Sequence, residues 1–159
     1  MTGIEVRPAL RESEIAEARA LFDDYAVWIG IDLSFQNFPE ELKTLPGDYV
    51  PPGGALFLGW AGGAAAGCVA VRRMDDTDCE MKRLFVRDAF RGLGAGEALA
   101  RAAIVFAREA GYLRMFLDTL PSMGAAHSLY ERLGFKEIPP YRFNPVAGAR
   151  FMALSLSER

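Results

Sequence analysis

The chain has 159 residues, 51% hydrophobic and 25% charged, which fits one compact domain with its own core and no second one. A formal net charge of −3, with basic residues scattered as short pairs such as Arg72-Arg73 and Lys82-Arg83, argues against a nucleic-acid surface, which needs clustered positive charge. Cys68 and Cys79 have neither CxxC spacing nor a histidine cluster, so they read as reduced core thiols, with no metal site and no disulfide.

The opening residues, MTGIEVRPALRESE, carry charge throughout and no apolar run that would mark secretion, so the expected location is cytoplasmic. Residues 4–7 alternate apolar and charged, a short strand. Residues 12–28 put Ile15, Ala18, Leu21, Phe22 and Tyr25 at helical spacing and predict an amphipathic helix starting near Ser13. Pro39, Pro46, Pro51 and Pro52 then break the pattern into a loop with one short helix around residues 40–44. The aromatics Trp28, Phe35, Phe38 and Tyr49 read first as lids on the core and second as ligand contacts.

Residues 53–71, GGALFLGWAGGAAAGCVAV, carry no charge and approach the length of a membrane span. A helix there would hold many glycines, each costing about 1 kcal/mol relative to alanine. Gly62-Gly63 instead divides two strand-like runs, so the prediction is a hairpin and no membrane. Strands at residues 55–60, 67–73 and 78–86 form an antiparallel meander, with Asp75-Asp76-Thr77 as the second turn. A helix follows at residues 94–110, its buried stripe Leu99, Ala102, Ala103 and Phe106, closed by Gly111. The strand at residues 112–117 implies a parallel crossover. A helix at residues 123–133 ends at Gly134, Phe135 begins another strand, and residues 151–156 form the last, whose edge, if exposed, would serve to pair across a homodimer. This order predicts an α/β (α+β) fold, a mixed sheet with helices on both faces.

The stretch VRDAFRGLGAGEALA places Gly92, Gly94 and Gly96 between a strand and a helix. The first N–H groups of a helix point outward and its dipole favours negative charge, so the turn reads as an anion cradle, or else as a tight turn with close helix packing. It is not a triphosphatase loop, because Glu97 and Ala98 stand where Lys and Ser/Thr are required. The dinucleotide fingerprint lacks its third glycine at Glu97, and residues 87–91 separate the turn from the strand; only Asp118, about 20 residues on, would suit it.

Arg91-Gly92-Leu93-Gly94-Ala95-Gly96 follows the pattern Arg/Gln-x-x-Gly-x-Gly/Ala, preceded by Leu84-Phe85-Val86-Arg87-Asp88-Ala89-Phe90, and residues 126–135 read AHSLYERLGF. In this order and at this separation the two signatures resemble those of the GCN5-related N-acetyltransferases (GNAT), over nearly the whole chain. The resemblance implies a mixed, mostly antiparallel central sheet of six to seven strands flanked by about four helices. It implies acetyl-coenzyme A as cosubstrate, no metal, and a pyrophosphate on the backbone N–H groups of Gly92, Leu93, Gly94, Ala95, Gly96 and Glu97, with Arg91 at the mouth. The pantetheine arm would pair with the main chain of Leu84, Phe85 and Val86, where that strand splays from its neighbour.

By the same resemblance Tyr130 is the acid that protonates the departing thiolate and Glu80 the base that takes the amine's proton. The bland alternatives are packing of Tyr130 on Phe135 and pairing of Glu80 with Lys82 or Arg83. His127 falls at a position the family leaves variable and reads as a surface residue. Met123 stands where the family often has asparagine. The loops around residues 28–49 and 137–145 would wall the acceptor side, with Arg142, Tyr141 and Phe35 as substrate contacts; Arg142 would hold a substrate carboxylate or else lie solvated. The implied reaction is acetyl transfer to a primary amine of a small molecule or peptide, by direct attack in a ternary complex. The rival is a non-catalytic acyl-coenzyme A sensor, which would need the glycine turn but neither Glu80 nor Tyr130.

Overall fold

The computed structural model describes residues 3–30, 33, 37–121 and 123–156. Among these, seven strands and four α-helices alternate as β1 (Ile4–Pro8), α1 (Glu12–Ile29), α2 (Phe38–Thr44), β2 (Ala55–Ala61), β3 (Ala64–Arg73), β4 (Asp78–Val86), α3 (Ala95–Glu109), β5 (Arg114–Thr119), α4 (Gly124–Arg132), β6 (Lys136–Ile138) and β7 (Arg150–Ser155). The sheet order is β1-β2-β3-β4-β5-β7-β6, and every neighbouring pair is antiparallel except β4–β5. This is the expected mixed, mostly antiparallel sheet, and the uncharged stretch is a hairpin with Gly62-Gly63 at its tip, Gly62 at φ 63°. No helix among the described residues is long and apolar enough to cross a membrane.

Alternation along the strands gives the sheet two buried faces. Val69, Val71, Cys79 and Met81 point to the face covered by α3 and α4, while Cys68, Ala70 and Phe85 point to the face covered by α1 and α2. The stripe on α3 is rotated from the expected one: Leu99, Ala100, Ala103, Ile104 and Ala107 are buried, whereas Ala102 and Phe106 sit at its margin, Phe106 edge-on to Phe57 at 6.3 Å. Gly111, at φ 92°, ends this helix as predicted, its N–H donating to Arg108 O at 3.1 Å and that of Tyr112 to Ala107 O at 3.1 Å. The start of α1 is set by Glu14 and not by Ser13, since the Glu14 carboxylate accepts the N–H groups of Leu10 (3.0 Å) and Arg11 (2.8 Å).

The last strand does not stand at the sheet's edge: β7 is inserted between β5 and β6, paired with β5 from Arg150 to Ser155 and with β6 over Phe151, Met152 and Ala153. β7, with the apolar run Phe151 to Leu154, takes the interior place, and β6, three residues with Lys136 and Glu137 exposed, takes the edge.

Candidate active site

β4 and β5 are paired only at Asp78–Arg114, Cys79–Met115 and Glu80–Phe116. Beyond Glu80 the two strands part: β4 continues to Val86 on β3 alone, and β5 continues to Thr119 on β7 alone. The parting coincides with a bulge, because Cys68 faces Phe85 and Ala70 faces Lys82, leaving Arg83 and Leu84 opposite the single residue Val69. Arg83 takes up the extra length at φ 62°. Its buried guanidinium is held by Glu41 (Nε–Oε2 2.9 Å, Nη2–Oε1 2.8 Å) and lies over the rings of Phe38 and Tyr25. Among the described residues the pairing of β4 with β5 thus ends at Glu80, and the gap opens alongside the rest of β4.

At the far end of β4 a single 3-10 turn, Asp88–Phe90, leads into the glycine turn. Gly92 and Gly94 have φ 86° and 81°, a region costly for any residue with a Cβ, and Gly94 caps α3. The first helical bond into this turn is made by Ala98 N to Gly94 O (3.0 Å), so the N–H groups of Ala95, Gly96 and Glu97 precede the hydrogen-bonded ladder. Arg91 is turned back onto the turn itself: Nε donates to Val86 O (3.1 Å), Nη1 pairs with Asp88 Oδ1 (2.6 Å), and the guanidinium covers the Trp28 ring. Of the three β4 residues expected along the coenzyme, Phe85 is buried towards α1 against Tyr25 and Trp28, and Leu84 and Val86 are half-buried against the α3 side.

Tyr130 reaches the gap from α4. It is buried and tilted on Phe135, the bland contact foreseen for it, with ring centroids 5.6 Å apart. It also lines a small cavity with Tyr25, Met81, Lys82, Arg83, Leu84, Asp118 and Met123. Burial pushes the phenol above its ordinary pKa of 10.0, so the hydroxyl keeps its proton throughout the neutral range. Asp118 in that cavity is held by Asn144, whose Nδ2 donates to Oδ2 at 3.1 Å. Met123, which stands where the resemblance would often place asparagine, lines the same cavity and precedes α4.

Glu80 is wholly buried, and its setting differs from that of a free base. Arg72 Nε donates to Oε1 at 2.8 Å, Tyr141 Oη to Oε2 at 2.7 Å, and Arg142 pairs with Oε2. Burial alone would raise its pKa, but Lys82, Arg142, Arg72 and the Tyr141 hydroxyl outweigh it and hold the carboxyl below the usual range. Of the two partners foreseen for Glu80, Lys82 acts on it through its charge, while Arg83 is held by Glu41. Tyr141 is fixed edge-on between Phe116 (5.2 Å) and Phe151 (5.3 Å), so the loop after β6 is anchored over Glu80. Arg142 is thus engaged by the protein's own carboxylate rather than lying solvated. Phe35 lies outside the described residues.

A second cavity, of about 310 Å³, opens on the α2 side of the sheet, lined by Arg72, Lys82 and Arg142 and by Asn37, Glu40, Glu41, Thr44 and the loop from Pro46 to Tyr49. Lys82 lines both cavities. Burial and the neighbouring Arg83 bring its pKa down to about 8, with Glu80 acting in the opposite sense. His127 is partly buried beneath Arg150, whose Nη1 lies 2.9 Å from its Nε2, and touches neither cavity. Both cysteines are free and buried, and burial pushes the Cys79 thiol up to about 12, so neither is a ready nucleophile. Among the described residues no group of three or more His, Cys, Asp or Glu could hold a metal ion.

The sequence reading gave Arg72 and Asn144 no role in the site, and weighed Lys82 only as a partner of Glu80 and Asp118 only for a dinucleotide fingerprint. A signal existed for two of them: folding the strands about the Asp75-Asp76-Thr77 turn puts Arg72 directly opposite Glu80, and Lys82 shares Glu80's face two residues on.

The sequence pattern of the Acetyltransferase (GNAT) family matches residues 7–135. An uncharacterized N-acetyltransferase of Schizosaccharomyces pombe is 35% identical over 159 residues, covering 99% of this chain and 98% of its own. The N-acetylaspartate synthetase of Homo sapiens is 36% identical over 110 residues, covering 69% of this chain and 35% of that protein. The crystal structure of a GNAT family acetyltransferase from Elizabethkingia anophelis with acetyl-CoA bound superposes with a TM-score of 0.60 at 16% identity, covering 96% of this chain and 98% of the other.

Proposed function

The chain belongs to the acetyltransferase (GNAT) family, an acyltransferase family, and from that premise we propose that it moves acetyl from acetyl-coenzyme A to a primary amine by direct attack in a ternary complex. The observation that carries this reading is the parting of β4 from β5 between the glycine turn and Tyr130. An extended pantetheine arm has amides that can pair with the main chain of Leu84, Phe85 and Val86 along the gap, as an added strand would. Its pyrophosphate then falls at the N–H groups of residues 92–97, where Gly92 and Gly94 allow close approach; Arg91 serves mainly to brace the turn.

In the chemical step the amine nitrogen attacks the thioester carbonyl, the C–N bond forms and the C–S bond breaks. The amine must lose a proton, since a free alkyl amine has a pKa of about 10. We assign that proton to Lys82, which borders both cavities and whose pKa is brought down to about 8, closer to neutrality than an ordinary lysine's, as a base needs. Glu80, ionised and already accepting three donors, is assigned to positioning Arg72 and Arg142. Tyr130 gives its proton to the departing thiolate. The relative named N-acetylaspartate synthetase makes the amine of an amino acid the first acceptor to try.

A sensor would bind coenzyme A and stop there. Titration calorimetry with coenzyme A, followed by thiol release from acetyl-coenzyme A across an amine panel, separates the readings: amine-dependent thiol release is expected. Binding with no release by any amine would favour the sensor, and no binding would remove both.

A further inference from the structure

In the wall that the sheet and the 139–145 loop give the larger cavity, two guanidiniums share one carboxylate. Arg72 and Arg142 line it beside Lys82, and Glu80, 0% exposed beneath them, is bound by both arginines. Each arginine has five N–H donors in a planar fork. Glu80 is bound through Nε of Arg72 and through Nη2 of Arg142, so both guanidiniums keep donors for the cavity, and their side chains remain 33% and 20% exposed. The opposite charge comes from α2 and the loop after it, as Glu40, Glu41 and Asp48; Glu41 is committed to Arg83. A volume of about 310 Å³ suits a small molecule.

Resting on the transferase reading above, we propose that the acceptor amine carries a carboxylate, and that Arg142 and Arg72, oriented by Glu80, bind it. Lys82 fixes the polarity of the bound acceptor. It lies at the junction with the smaller cavity where Tyr130 stands, so the amine enters at Lys82 and the carboxylate lies outward on the two arginines. Both guanidiniums are held from behind, Arg72 across the β3–β4 pair and Arg142 stacked on Tyr141, so little side-chain freedom is lost when the carboxylate arrives. Glu80 is a positioning residue here: it touches the arginines, not the substrate.

The test uses wild-type protein with matched pairs of amines, each carboxylate against its primary amide: aspartate and asparagine, β-alanine and β-alaninamide, glycine and glycinamide. A charge-assisted, bidentate contact predicts kcat/KM about 10- to 100-fold higher for the carboxylate member of a pair, the difference residing mainly in KM. Arg142→Lys keeps the charge and loses the fork, so the ratio should fall towards one, with coenzyme A affinity and thermal unfolding reporting that the fold is intact. Amides used as well as their carboxylates, in a panel where acetylation does occur, would overturn the proposal while leaving the transferase reading in place. Coenzyme A binding with no acetylation of any amine would overturn both. If Arg142→Lys does not fold, the wild-type ratios decide alone.

Discussion

Glu80 and Arg142 form an ion pair in which the carboxylate is fully buried, although one comes from the middle of β4 and the other from the loop beyond β6. With Arg72 on the other oxygen and the Tyr141 hydroxyl beside Arg142, this single carboxylate ties the loop to the sheet.

Glu80→Gln should therefore destabilise the protein by about 1–3 kcal/mol at pH 7, since two partly exposed guanidiniums lose their anion and the amide cannot accept every donor. The folded pKa of Glu80 lies below its ordinary value of 4.5, so its contribution is complete above that pH and is lost as the pH falls through the folded value. Denaturant unfolding of both proteins as a function of pH checks this; the stability gap should close in acid.

Lys82 has the opposite sign. Its pKa falls from 10.5 unfolded to about 8 folded, so below pH 8 the folded protein carries the cost of a desolvated ammonium. Between pH 8 and 10.5 the unfolded chain binds more protons, and stability rises by up to about 3 kcal/mol in wild type relative to Lys82→Met. For catalysis, kcat/KM of wild type should climb through an inflection near pH 8 that Lys82→Met lacks, with a rate about 10²-fold lower.

Tyr130→Phe removes one oxygen from a buried ring that keeps its packing on Phe135. Turnover should fall by about 10²- to 10⁴-fold, with coenzyme A affinity changed by less than about threefold. Steady-state kinetics paired with calorimetry distinguishes this from a structural loss, which would lower both.

Gly94→Val puts a branched side chain at φ 81°, in the cap of α3. A left-handed conformation costs about 1–2 kcal/mol, and the side chain also stands where the pyrophosphate is to lie, so coenzyme A should bind about tenfold weaker or worse. Gly94→Ala shares the backbone cost with less bulk; calorimetry on the two separates strain from obstruction.

The elements along the chain were legible because strong periodicities and glycine stops mark them: Gly62-Gly63, Gly111 and Gly134 each end an element where they should. The turn assigned to the coenzyme was legible because its geometry depends on the backbone, and backbone demands appear in sequence as glycines. The lining of the larger cavity, assigned to the acceptor, was not, because it is built from residues brought together across the sheet. Arg142 approaches Glu80 only because Tyr141 is wedged between Phe116 and Phe151, and no local pattern announces that. The bulge was silent too, since Arg83 adopts a positive φ without a glycine to mark it and is kept there by Glu41 on α2. The insertion of β7 beside β5 likewise reverses the chain order of the last two strands, which no local pattern announces.

A crystal structure with acetyl-coenzyme A bound is the most direct test of the site. The pyrophosphate is expected on the N–H groups of residues 92–97, the pantetheine amides paired with the main chain of Leu84, Phe85 and Val86, and the sulfur within hydrogen-bond reach of the Tyr130 hydroxyl. A coenzyme bound elsewhere, or one whose sulfur lies away from Tyr130, would contradict it.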